Sequence, residues 1–163
     1  MKNKSKPFSD DITQEYIARL KFREDELGSI IKGHLLIEFI INRIIERKCK
    51  NPQKILDDHR SYPFAVKLQI VYSMNLLPDH IYKNVSRINK VRNQLAHNLE
   101  VKIGDLDFKY VKDNGKEMTI EMPKSKHFPE RNYIQLLCMG TLNQLRNHYF
   151  LLFAEFPKYN SVA

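Results

Sequence analysis

The stretch ELGSIIKGHLLIEFIINRIIERK, Glu26 to Lys48, decides the fold. Ile30, Ile31, Leu35, Leu36, Ile37, Phe39, Ile40, Ile41, Ile44 and Ile45 leave little polar surface before Glu46, Arg47 and Lys48. A strand of this length would be unusual. Glu38, Asn42 and Arg43 recur at helical spacing. The reading is a central helix, apolar over most of its circumference and so packed on several sides. Asn51-Pro52 breaks the run.

Upstream, residues 1–9 are polar, basic and expected to fray. A helix is expected from Asp10 or Asp11, with Ile12, Tyr16, Ile17, Leu20 and Leu27 on its apolar side. Downstream, residues 52–63 read as a short helix or loop. Phe64, Val66, Leu68, Ile70, Val71 and Met74 form a third helix after Pro63. Asn75 to Pro78 is a turn, with Pro78 suited to the first position of the next helix. That helix, from 79 to about 98, carries Ile81, Tyr82, Val85, Ile88, Val91, Leu95 and Ala96 at spacings of three and four. The period then changes. Phe108 and Tyr110, then Met118, Ile120 and Met122, alternate around the turn signal Asp113-Asn114-Gly115. This predicts a β-hairpin over 101–122. A basic loop follows, and then a last helix from about 130 to 153, with Ile134, Leu137, Cys138, Leu142, Leu145, Tyr149 and Leu152 inward. Residues 149–156 read as core, and 157–163 as a tail. The expected fold is mainly α: one domain over 10–156, about five helices, with an inserted hairpin.

Composition narrows the function. The 163 residues suit a single domain. With 5 Gly and 7 Pro, linker-like and collagen-like readings fail. No apolar run reaches the length of a membrane span, and the basic start MKNKSKPFSDD lacks the apolar core of a signal peptide. Two cysteines, Cys49 and Cys138, suggest neither a disulfide framework nor a zinc site. The expectation is a reduced, cytoplasmic protein without membrane partners. Lys plus Arg is 27 against 19 Asp plus Glu, a net charge of +8, which calls for an anionic partner.

One segment carries chemistry: Ile88-Asn89-Lys90-Val91-Arg92-Asn93-Gln94-Leu95-Ala96-His97-Asn98. Arg92 offers a charged planar fork that fits a phosphate. His97 can take or give a proton near neutrality. Asn93 can position either. Together they suffice for RNA cleavage by 2′-hydroxyl attack, with no metal or cofactor, the Arg stabilising charge on the phosphoryl oxygens. Geometry adds a constraint. Arg92 and His97 are five apart, about 140° around a straight helix. Either the long Arg reaches around, or the backbone deviates near the helix end, or two copies of the helix pool their side chains in a homodimer.

This segment resembles the signature of the HEPN superfamily: an Arg, a polar residue, three more residues and a His, late in a helix of a small α domain. The lead-in from Phe64 to Tyr72, then Asn75-Leu76-Leu77 and Ile81-Tyr82, looks like the mannitol-repressor-like branch. The resemblance runs from about residue 28 to 98. It implies a helical bundle that dimerises through the motif helix. It also implies a metal-independent endoribonuclease with Arg92 and His97 catalytic and Asn93 beside them. A toxin or phage-defence role, with an antitoxin or regulatory partner, is implied in the same way. Some members have lost activity, so the alternative is a non-catalytic regulatory or binding module.

Further candidates stand around the motif. His34 and Glu38, four apart on the central helix, can orient Arg92 or His97; the alternative is a self-satisfied buried pair. His34, Glu38 and His97 have the residue types for zinc but no spacing signature. Lys83, Arg87 and Lys90 form one stripe on the motif helix, and Lys124, Lys126, His127 and Arg131 follow the hairpin. Either group can track an RNA backbone; a solvated charged surface is the plainer reading of both.

Overall fold

The computed structural model describes residues 26–98, 100–101, 106, 108–120 and 131–157. The helix expected from residue 10 and the basic loop at 124–127 lie outside the described residues. The elements are α1 (Glu26–Lys48), α2 (Gln53–Leu56), α3 (Phe64–Ser73), α4 (Asp79–His97), β1 (Lys109–Val111), β2 (Glu117–Thr119) and α5 (Arg131–Phe153). The protein is mainly helical, with one small antiparallel hairpin between α4 and α5.

α1 is the axis of the core. Ile30, Ile37, Ile40, Ile41, Ile44 and Ile45 are fully buried, and α1 packs against α3, α4 and α5 at once. A helix with three neighbours must be apolar on three sides. Ile31 and Leu35, four apart on the remaining side, are the exceptions, at 37 % and 57 % exposed. From α5, Ile134, Leu137, Cys138, Leu142 and Leu145 fill the space against α1. Burial fades at the end of α5. Tyr149 is buried, but Phe150, Leu151 and Phe156 are exposed, so 149–156 is only partly core. Phe150 and Phe156 stack on one another instead, with centroids 4.7 Å apart.

α3 buries Phe64, Lys67, Leu68 and Val71, one stripe at helical spacing. Val66, expected among its apolar positions, points outward because it falls off that stripe, and Met74 is exposed as the C-cap, past the last residue of the helix. α3 ends in a Schellman turn. Asn75 takes φ 57°, its N–H donates to Tyr72 O, and Leu76 N–H donates to Val71 O. Pro78 then sits one residue earlier than expected, as the N-cap of α4, with extended ψ of 153°. The position suits it because an N-cap contributes its carbonyl, here to Ile81 and Tyr82 N–H, and needs no amide proton. The α3–α4 angle is pinned by Tyr72 stacked on Tyr82, centroids 4.1 Å apart, and by their hydroxyls on Asp79 and Gln69.

Among the described residues the hairpin has three paired residues on each strand, with Tyr110 opposite Met118; residues 102–105, 107 and 121–122 of the expected 101–122 span lie outside them. Its turn has Gly115 at φ 78°, with Gly115 N–H donating to Lys112 O. A pair of such short strands is marginal by itself. Here β1 is clamped. Asn84 of α4 donates to Val111 O and accepts from Val111 N–H, both at 2.8 Å. Gln144 of α5 also donates to Val111 O, and Tyr110 hydroxyl donates to Gly140 O. β2 is exposed along its length, so Met118 marks no buried face. No helix among the described residues is long and apolar enough to cross a membrane.

Candidate functional site

α1, α3 and α4 converge on a cleft of about 370 Å³. Its walls include His34 and Glu38 from α1, Lys67 from α3, and Asn89, Arg92 and Asn93 from α4. The placement follows from helical geometry. Residues 34 and 38 are one turn apart on one face of α1. Residues 89, 92 and 93 are one turn apart on the facing side of α4. The amphipathic core stripes of the two helices therefore bring these polar positions to one edge of their contact.

Arg92 Nη1 donates to Asn93 Oδ1 at 2.8 Å, so the guanidinium folds back over its neighbour and keeps its other donors for the cleft. His34 is buried, 4 % exposed, with Nε2 3.1 Å from Asn89 Oδ1 and its ring edge-on to Phe64 at 4.3 Å. Burial lowers the His34 pKa from its ordinary 6.5; the Asn89 bond and Glu38 partly oppose this, and the positive charge of Arg92 adds to it. Arg92 and His34 therefore sense one another electrostatically, as neighbours across the α1–α4 seam.

Lys67 is the residue that the sequence reading overlooked. It is fully buried, and its Nζ lies 3.6 Å from Glu38 Oε1, inside ion-pair range but beyond hydrogen-bond range. Nζ has no hydrogen-bond partner among the described residues. A signal was present. Phe64, Leu68 and Val71 define the buried stripe of α3, and position 67 falls on that stripe by its period.

His97 stands apart. It is the last residue of α4, exposed, and does not line the cleft. The helical period puts it about 140° from Arg92 but only about 20° from Lys90. It thus continues the basic stripe instead of joining Arg92. Lys83 and Lys90 on that stripe are exposed. Arg87 is half-buried and engaged, donating to Lys109 O at 2.8 Å and to Glu117 Oε1 at 2.7 Å. Its charge is offset by Glu117, and it serves as a hairpin anchor. Arg131 opens α5, while Lys124, Lys126 and His127 lie outside the described residues. No three His, Cys, Asp or Glu among the described residues cluster as metal ligands.

The cleft is thus lined by two cationic side chains, one carboxylate, two amides, the Tyr62 phenol, the buried His34 imidazole and the exposed His59 imidazole. Such a set has the chemistry to bind an anion and to hydrogen-bond hydroxyls beside it. No family model, no curated protein and no solved structure matches the chain. What fold and site define together is a mainly helical protein with a polar, cation-bearing cleft at the junction of three helices.

Proposed function

We propose that the protein is a metal-independent, HEPN-type endoribonuclease. The observation that carries the reading is Arg92, braced by Asn93, on the wall of a cleft faced by Glu38 and His34. In this reading Arg92 holds the scissile phosphate and stabilises charge on its oxygens. His97 moves the proton between the 2′-hydroxyl and the leaving oxygen. Because His97 faces away from Arg92 on its own helix, the working site is composite: Arg92 of one protomer meets His97 of a second across paired α4 helices. Looped or single-stranded RNA suits it, since in-line attack needs a flexible backbone. A toxin or phage-defence role, with an antitoxin or regulator to restrain it, belongs to the same proposal and rests on the resemblance to the family.

The test is RNA cleavage in EDTA. Wild type is expected to cut. Arg92→Ala is expected to lose about 10²–10³ in rate, the usual cost of removing a charge-stabilising donor. His97→Ala is expected to lose about 10²–10⁴, the usual worth of a general acid or base. Cleavage that needs a divalent metal, or that survives both substitutions, overturns the reading. One observation favours a second reading, a binding or regulatory module without catalysis: His97 is exposed and outside the cleft. RNA retained without cleavage by wild type, under every condition that supports folding, selects that alternative.

A further inference from the structure

The first turn of α3 meets the cleft at Pro63, Phe64 and Ala65. Pro63 is its N-cap and offers no side-chain cap, and the first turn contains no acidic residue. Val66 and Lys67 N–H close onto Pro63 O. The amides of Phe64 and Ala65 are left without a partner among the described residues. Uncapped amides at the start of a ten-residue helix carry partial positive charge and form an anion site when a ligand reaches them.

The buried amine of Lys67 is an independent observation pointing to the same place. A buried amino group with no hydrogen bond is costly, and one carboxylate at 3.6 Å leaves its donors unsatisfied. Arg92 lines the same cleft with donors to spare. Three sources of positive potential, on α3 and α4, therefore converge on one small cleft. Glu38 is the only carboxylate among the residues lining it. Its side chain is 26 % exposed and lies beside Lys67, so it is able to accept from a hydroxyl next to a bound anion.

From these contacts we infer that the cleft is a phosphate subsite, built by the Phe64 and Ala65 amides, Lys67 and Arg92, that takes a phosphate group of a ribonucleotide with Glu38 accepting from the neighbouring hydroxyl. It deepens the nuclease reading, because Arg92 is common to both, and it assigns to α3 a binding role that the Arg–His motif does not contain. Lys67 and the α3 amides supply positive charge from α3, and Arg92 supplies it from α4. The cleft then fixes a phosphate in place while His97 acts from outside it.

The test measures phosphate retention separately from cleavage. Full-length His97→Ala protein is titrated by calorimetry with inorganic phosphate, with a ribonucleoside monophosphate and with a short RNA. Two further substitutions are made in that background. Lys67→Met keeps the stem volume and removes the amino group. Ala65→Asp puts a carboxylate on an exposed first-turn position, where it favours the helix and competes for the amides. All three ligands are expected to bind, the nucleotide more tightly than phosphate, and each substitution is expected to weaken binding about tenfold or more. Thermal melts report folding, and Ala65→Asp decides alone if Lys67→Met does not fold. No binding of any ligand by the parent, or unchanged affinity in folded Ala65→Asp, overturns the subsite. Binding of inorganic phosphate alone, with no gain for nucleotide or RNA, overturns the assignment to a ribonucleotide. Phosphate retention with no RNA cleavage by the wild-type chain supports the subsite while sinking the nuclease reading, so the two fail separately.

Discussion

His34 links the site to stability in a way that has a definite sign. Its folded pKa lies below the ordinary 6.5, with burial as the main cause. The folded chain therefore binds fewer protons at this ring than the unfolded chain does. Stability is complete above pH 6.5 and falls as the pH drops below it toward the lowered folded value. The Asn89 hydrogen bond and Glu38 oppose the lowering and Arg92 adds to it, so the fall is moderated and not abolished. Urea unfolding at pH 7.5 and pH 5.5 is expected to show a lower midpoint at acid pH. That difference is expected to shrink in His34→Gln. An equal difference in the variant would assign the acid sensitivity to other groups. At the same scale, the sequence exposed Arg92 and Asn93 because their types name their chemistry. It concealed Lys67, since an isolated Lys reads as solvated unless the stripe through Phe64, Leu68 and Val71 is followed through it.

At the scale of elements, α1 and α4 were legible to within a residue. Their apolar positions recur over five or more turns, and Asn51-Pro52 and Pro78 punctuate them. The hairpin was legible from its turn. Asp113-Asn114-Gly115 marks the reversal, and side chains of two helices, Asn84 and Gln144, hold β1 at Val111. Asn84 is the clearest instance. It is a buried polar residue among the apolar positions of α4, and its amide replaces the missing sheet neighbour of Val111. Asn84→Leu is expected to leave Val111 N–H and O short of partners and to cost about 1–3 kcal/mol in stability. Amide exchange at Val111 should accelerate to match. Gly140 makes a second contact point. A Cβ there would lie 3.1 Å from the Tyr110 ring, so Gly140→Ala is expected to displace Tyr110 and loosen β1. Unchanged exchange in both variants would show that the hairpin is held elsewhere.

For the whole molecule, the net charge of +8 finds two distinct outlets. One is the cleft, where Lys67 and Arg92 sit among buried groups. The other is the exposed stripe of Lys83, Lys90 and His97 on the far side of α4, with Arg87 committed to the hairpin. Under the nuclease reading the stripe tracks RNA and the cleft grips one phosphate. Removing Lys83 and Lys90 together is expected to reduce the salt dependence of single-stranded RNA binding by roughly 1.4 in the slope of log K against log salt. An unchanged slope would place the RNA track on another face. The opposed directions of Arg92 and His97 were foreseeable from a five-residue spacing, and the structure keeps that conflict within one chain. Under the nuclease reading, two chains resolve it by pooling Arg92 and His97. Arg92→Ala and His97→Ala proteins, each inactive alone, are mixed, exchanged and assayed on RNA in EDTA. A composite site predicts recovery of about one quarter of wild-type activity, because half of the dimers are mixed and each has one intact site. A mixture as inactive as its components would contradict it.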